Sequence, residues 1–281
     1  MDDASELESW TGVVPVGDLL LRSAAWHPDR DALILPGERY TFARLWDRAS
    51  TIARGLLGLG VQRGQHVGLL ARNSVEYVEG LFGIALTGAV VIPVNARHKT
   101  SELTYIIENG DMVALLTTAS DHSEFLDFTE ILRQTLPSLS SDSDPLALHL
   151  AEAPRLRNII ILDGAAPAGM LSRDTLERIA ATVTGPELQH ARQRAMLRDP
   201  AMILYTSGTT AHPKGCVLSH EAMVRGPLHR ALHRFGNGHA DVTRAPGRCI
   251  TSAASAPSLV RSARAAPISP TATSTPAALW R

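Results

Sequence analysis

Up to about residue 135, the apolar positions follow two rhythms: a helical one and short unbroken runs. Pro36-Gly37 marks a turn. Thr41 then stands where its hydroxyl can cap a helix whose apolar stripe is Phe42, Leu45, Ala49, Ile52 and Leu56. That stripe is read as core packing. Gly60 and Gly64 end the helix and deliver a strand over His66–Leu70. A second helix is predicted from Ser74 to Thr87, followed by a fully apolar strand, Ala89–Val94. A third helix, Ser101–Asn109, precedes a strand over Met112–Thr117. Short apolar strands alternating with helices predict an α/β fold, with mostly parallel sheets flanked by helices.

The rhythm changes over residues 136–157, where Leu136–Pro145 has the Ser, Asp and Pro content of a surface loop. Strand character returns at Asn158–Leu162. A polar, helix-prone stretch then runs to about Asp199, and Ala201–Tyr205 is another apolar strand. From about Ala245 all periodicity is lost. Of the 37 residues from there to Arg281, 25 are Ala, Ser, Thr or Pro, and none is Asp, Glu or Lys. A segment of that composition cannot bury enough apolar surface to offset its ordering entropy. The expected division is a packed domain over 1–244 and a tail over 245–281.

Bulk composition narrows the class. The 281 residues are 44% apolar and 20% charged, as in a soluble globular protein with a substantial core. A net charge of −1 gives no field that would attract nucleic acid. The arginines of the tail, Arg248, Arg261, Arg264 and Arg281, lack interleaved aromatics apart from Trp280, and make only a weak basic arm. Cys216 and Cys249 are too few for a disulfide framework. The longest apolar run, Leu81–Val94, is interrupted by Gly83 and Gly88 and falls short of the ~20 residues that cross a bilayer. With no transmembrane segment or signal-like stretch, a cytoplasmic protein is expected. Lys99 and Lys214 are the only lysines among 27 basic residues, a skew that fits a GC-rich gene.

One segment carries chemistry: Ile203-Leu-Tyr-Thr-Ser-Gly-Thr-Thr-Ala-His-Pro-Lys-Gly-Cys-Val-Leu-Ser-His220. A strand enters it, and Cys216–Leu218 is predicted as the strand that leaves it. Between them, Gly208 and Gly215 let backbone N–H groups converge on an anion. Thr206, Ser207, Thr209 and Thr210 add hydroxyl donors, Lys214 adds charge, and Pro213 stiffens the turn ahead of it. The segment is not a Walker A loop, which needs Gly before its Lys and Ser or Thr after it; here Lys214 lies between Pro213 and Gly215. Cys216 is expected to be buried packing, since no paired base is evident beside it. His212 is expected at the surface, His220 at the start of a helix, and Asp199 in a turn.

The order Thr-Ser-Gly-Thr-Thr-x-x-Pro-Lys-Gly over 206–215 resembles the signature of the adenylate-forming superfamily, and in particular of the AMP-forming acyl-CoA synthetases. Eight fixed letters at roughly 1/15 usage each make a chance match of order 10⁻⁹. Tyr40-Thr-Phe42, the stretch from Val61 to Asn73 and Gly88–Asn95 resemble that family's N-terminal lobe in order and spacing. Ala211 stands where the family most often has Gly. If that position needs a positive φ, Ala costs about 1 kcal/mol there.

The resemblance implies ATP with Mg²⁺, a carboxylic acid substrate, an acyl-adenylate intermediate and coenzyme A as acceptor. Thr206, Ser207, Gly208, Thr209, Thr210, Lys214 and Gly215 would then hold the β- and γ-phosphates. It also implies downstream parts that no residue here matches: an adenine-binding segment, acids for Mg²⁺ and ribose, and a catalytic lysine. A chain without them is expected to be inactive alone and to occupy chaperones through its incomplete core. The tail bears on this point. Reading the bases of Gly247–Val260 from one nucleotide earlier permits Pro-Leu-Tyr-His-Ile-Gly-Ser-Leu-Gly-Pro-Phe-Ile-Gly, an apolar stretch of the kind the family carries after its loop. Residues beyond about 245 therefore read either as a frameshift product or as a disordered basic tail. A non-catalytic nucleotide-binding remnant, or an interaction protein with a basic tail, is the alternative function.

Overall fold

The computed structural model describes residues 13–35, 37–95, 98, 100–119, 127–206 and 212–233, the last seven of these by backbone alone. They fall into two compact units.

The larger unit comprises Asp47–Ala195 and Pro200–Leu218. It is built on a seven-stranded sheet in the order β7-β6-β5-β3-β4-β8-β9. The strands are β3 (His66–Leu70), β4 (Val90–Pro93), β5 (Met112–Thr117), β6 (Asn158–Ile161), β7 (Leu171–Ser172), β8 (Pro200–Thr206) and β9 (Lys214–Ser219). The pairs β3–β4, β3–β5, β4–β8, β5–β6 and β6–β7 are all parallel. The α/β architecture with a mostly parallel sheet is therefore the observed one. Helices α2 (Phe42–Gly58), α3 (Val75–Leu86), α4 (Thr100–Asn109), α5 (Phe128–Thr135), α6 (Arg173–Ala180) and α7 (Gly185–Gln193) connect and cover the strands.

Alternation along the strands explains how both faces are covered. Leu70 and Leu115 join Leu103, Ile106, Phe128 and Leu132 in one core with α4 and α5. The adjacent Leu69 and Leu116 face α3, where a Cβ on Gly80 would come within 2.8 Å of Leu69 and 3.4 Å of Leu116. Helix α2 follows its stripe: Phe42, Leu45, Ala49, Ile52 and Leu56 are all buried, and the Arg44 N–H donates to the Thr41 hydroxyl at 3.2 Å. Gly60 and Gly64 take φ of +79° and +78°, values that would strain a side chain, so the turn into β3 depends on them. Helix α3 lies within the predicted span, and Ser74 caps it, accepting from the Tyr77 N–H at 3.4 Å.

One expectation holds only in part. Leu136–Pro145 is a loop mostly at the surface, but Leu136 and Leu139 within it are buried, as are leucines of the stretch that follows. Leu136, Leu139, Leu148, Leu150, Ala153 and Leu156 are buried in the core shared with α4 and α5. Ser140, Ser141, Asp142 and Asp144 lie at the surface between them, and so does Leu146. The side chain of Asn158 fastens the segment by donating to the carbonyls of Pro145 and Leu146 at 3.0 and 3.1 Å.

The smaller unit's described residues lie within Met1–Trp46, Met196–Asp199 and Ser219–Arg281. It contains α1 (Val16–Trp26), the antiparallel pair β1 (Asp31–Leu35) and β2 (Glu38–Thr41), and α8 (His220–His233). His220 starts α8 as predicted and is completely buried. Its Nδ1 accepts from the Val16 N–H at 3.1 Å. Burial holds its imidazole below the usual histidine range, opposed by the charges of Asp199 and Asp18. Asp199 lies in a turn, where its side chain accepts from the Met196 N–H. The predicted tail over 245–281 falls outside the described residues. Among the described residues no helix is long and apolar enough to cross a membrane.

Candidate functional site

Strands β8 and β9 are neighbours in the sheet and consecutive in the chain, so Thr206 and Lys214 bound the connection between them. Thr206 ends β8 with its side chain exposed, and Lys214 opens β9 exposed as well. Gly215 follows against β8: a Cβ there would lie 3.0 Å from Ile203 and 3.4 Å from the Tyr205 ring. The glycine lets the strand carrying the lysine pack closely on the strand carrying the threonine. Ser207, Gly208, Thr209, Thr210 and Ala211 lie outside the described residues. Of the seven predicted site residues, Thr206, Lys214 and Gly215 are thus placed, at the two ends of the connection. Lys214 makes no ion pair among the described residues.

Side chains outside the seven predicted site residues support this end of the sheet. The Tyr205 hydroxyl donates to Asn109 Oδ1 at 2.8 Å. Burial, with the nearby Tyr105 and Asp111, pushes its pKa up to about 12, so the hydroxyl keeps its proton and remains a donor. His212 is at the surface as expected, but its ring stacks on Tyr105, with centroids 4.5 Å apart and planes 19° from parallel. Tyr105, Asn109 and Tyr205 were not singled out by sequence reasoning. Their only local signal is that Tyr105 and Asn109 are four apart on one helix.

Cys216 departs from expectation, since it is an exposed free thiol rather than buried packing. It and Val217 lie on the last strand in the sheet order, which has a neighbour on one side only, so apolar residue types there need not be covered.

The larger unit also holds a charge cluster away from the motif. The Glu79 side chain is fully buried and is paired with Arg48 Nε and, at 3.1 Å, with Arg173. Arg173 also donates to the Leu162 carbonyl at 3.1 Å and to Glu177 at 2.9 Å. Burial pushes the Glu79 carboxyl above the usual range, while the two guanidiniums pull it back. This cluster joins α2, α3 and α6, and its role is structural.

An exposed lysine and a threonine hydroxyl at the mouth of two tightly packed strands can bind an anion. The donor set fits the phosphate groups of ATP. Among the described residues no three His, Cys, Asp or Glu side chains gather as a metal ligand set.

Known proteins point the same way. Residues 20–280 match the sequence model of the AMP-binding enzymes. The chain is 34% identical over 212 residues to a medium/long-chain-fatty-acid–CoA/3-oxocholest-4-en-26-oate–CoA ligase of Mycobacterium marinum, covering 75% of this chain and 35% of that protein. It is 33% identical over 208 residues to the provisionally assigned acyl-CoA synthetase YngI of Bacillus subtilis (strain 168), covering 73% and 37%. Among solved structures, the anthranilate CoA ligase AuaEII in complex with anthranoyl-AMP superposes with a TM-score of 0.64 at 25% identity, over 85% of this chain and 41% of that one. The N-terminal domain of FACL13 from Mycobacterium tuberculosis shares the fold, with a TM-score of 0.61 at 24% identity over 89% and 55%. The chain therefore spans about a third of the length of the curated relatives it matches. With its parallel α/β sheet and a family match over nearly its whole length, this chain belongs to the AMP-binding enzymes, and its relatives are acyl-CoA synthetases and ligases.

Proposed function

We propose that these residues hold the pyrophosphate end of ATP in an AMP-forming acyl-CoA synthetase reaction. In that reaction a carboxylate attacks the α-phosphate, pyrophosphate leaves, and the acyl group passes from AMP to the thiol of coenzyme A. The observation that carries the reading is Lys214, exposed at the start of β9 beside Thr206 and unpaired among the described residues. A cation placed so can balance the negative charge that builds on departing pyrophosphate. Mg²⁺, when bound, would neutralise further phosphate charge. Thr206 would donate to a phosphate oxygen, and Gly215 would keep the two strands close enough for both contacts. The names of the relatives favour an acid with an extended apolar group, such as a medium- or long-chain fatty acid.

The 281 residues by themselves are proposed not to complete this chemistry. Adenylation also requires adenine, ribose and the acid to be fixed against one another. Positioning of that kind supplies on the order of 7–11 kcal/mol of barrier reduction. ATP–pyrophosphate exchange with a panel of short, medium, long-chain and aromatic acids tests both parts. The expected result is no exchange by the isolated chain, together with binding of Mg²⁺–pyrophosphate that is lost in Lys214→Ala. Robust exchange that depends on Lys214 would overturn the inactivity. Nucleotide binding indifferent to Lys214 would remove the phosphate reading and leave a binding remnant of another kind.

A further inference from the structure

We propose that one face of α4 anchors both ends of the phosphate-binding connection, with Tyr105 and Asn109 acting as its positioning residues. The proposal rests on the phosphate-loop reading above and names what holds Thr206 and Lys214 in place.

The two residues are four apart on Thr100–Asn109, so they project from the same side of the helix about one turn apart. Asn109 accepts from the hydroxyl of Tyr205, the residue immediately before Thr206. Tyr105 stacks on His212, two residues before Lys214. Each end of the connection is thus tied, within one or two residues of a proposed phosphate ligand, to the same rigid element. Pro213, with its fixed φ, is all that separates the stacked ring from Lys214.

The two ties also meet each other. Tyr105 lies close enough to Tyr205 to help raise its pKa, and both tyrosines pack partly buried against the core that includes Leu103, Ile106 and Ile203. The approach is close at Gly110 too: a Cβ there would meet the Ile106 carbonyl at 2.6 Å and the Tyr205 hydroxyl at 3.5 Å. The helix end is shaped to receive the strand.

The chemical consequence is preorganisation. With Tyr205 and His212 held, Thr206 and Lys214 lose less conformational entropy on engaging an anion, so the anchors strengthen binding without touching the ligand. Loss of an aromatic pair is expected to weaken Mg²⁺–pyrophosphate binding about three- to tenfold.

The test uses the full chain with Mg²⁺–pyrophosphate as the probe, titrated calorimetrically, and NMR of the His212 ring protons. Wild type should show ring protons shifted upfield by the Tyr105 ring, and Tyr105→Leu should abolish that shift and weaken binding. His212→Ala should weaken binding as much, and the double variant no further. His212→Phe, which keeps a ring to stack, should restore affinity. Tyr205→Phe, which keeps the ring but loses the bond to Asn109, should give a separate, smaller loss. Lys214→Ala serves as the arm for the underlying reading. If Lys214→Ala abolishes binding while Tyr105→Leu and His212→Ala leave it unchanged, the anchoring proposal is wrong and the phosphate site stands. If wild type does not bind pyrophosphate, the phosphate site falls, and positioning by α4 falls with it even where the ring-current shift proves the stack.

Discussion

Positive charge is used in two opposite ways in the larger unit. Around Glu79, Arg48 and Arg173 close on a carboxylate with no solvent exposure, and every charge has a partner within the chain. At the start of β9, Lys214 projects from the exposed end of a strand and forms no ion pair among the described residues. The first arrangement offsets the desolvation of a buried acid and leaves nothing over for a ligand. The second leaves the charge in water, where it costs the fold almost nothing and is available to an anion. The difference separates residues that hold the fold from those that serve it, and it does so from satisfaction rather than from residue type.

The largest expected effect lies in the buried cluster. Arg48→Met should lower unfolding stability at pH 7 by about 3 kcal/mol, because it strips a partner from a buried carboxylate. Urea denaturation measures this. The Glu79 carboxyl is already raised above its ordinary 4.5, and losing Arg48 raises it further. A raised carboxyl is penalised only as the pH climbs through its folded pKa, so the deficit of the variant should shrink as the pH falls below that point. A pH-independent deficit would mean that packing, not charge, was lost. The joint replacement Arg48→Met with Glu79→Leu and Arg173→Met should recover most of the stability.

Lys214→Ala should do the reverse: unchanged stability within about 0.5 kcal/mol, but a loss of about 1.5–3 kcal/mol in Mg²⁺–pyrophosphate binding. A clear drop in melting temperature would show that the lysine serves the fold after all, and would erase the contrast.

His220 offers an intermediate case, a titratable group that is buried but neutral. His220→Phe leaves the Val16 N–H without its acceptor and should cost about 1–2 kcal/mol at pH 8. With its folded pKa depressed below the ordinary 6.5, the native imidazole gives stability that is complete above that value and is lost as the pH falls through the folded pKa. The variant should therefore lose the acid-side slope below pH 6.5, as followed by thermal melts. The smallest effect is expected at Gly215→Ala, where a methyl group 3.0 Å from Ile203 should cost about 1 kcal/mol and displace Lys214 slightly, seen as a weaker pyrophosphate isotherm.

Helix α2 and strands β3 and β5 were legible because their signals are local. A 3.6-residue stripe, a threonine cap and two turn glycines determine them without reference to the rest of the chain. The segment over 136–157 was not legible for the opposite reason. Its leucines fall at irregular spacings, so no period reports that each one enters the core. Cys216 misled because a strand's composition does not tell whether it lies inside a sheet or at its margin. In the site, the motif located Thr206 and Lys214 at once. Tyr105 and Asn109 are about a hundred residues upstream, and only the order β3-β4-β8-β9 brings them to the loop. No spacing within the motif encodes that meeting.

The bond between Val16 and His220 joins positions 204 residues apart within one unit. Vectorial synthesis gives that distance a temporal meaning. Helix α1 emerges from the ribosome well before α8 and must wait for its imidazole until some two hundred further residues have been made. In that interval the strands β3 to β8 can pair in order, each new parallel strand meeting neighbours already present. The smaller unit then closes after the larger one, and its closure carries the entropy of a loop of about two hundred residues. Slow translation before codon 220 would keep α1 exposed, and a nascent chain paused there should remain open to proteolysis at its N-terminal end.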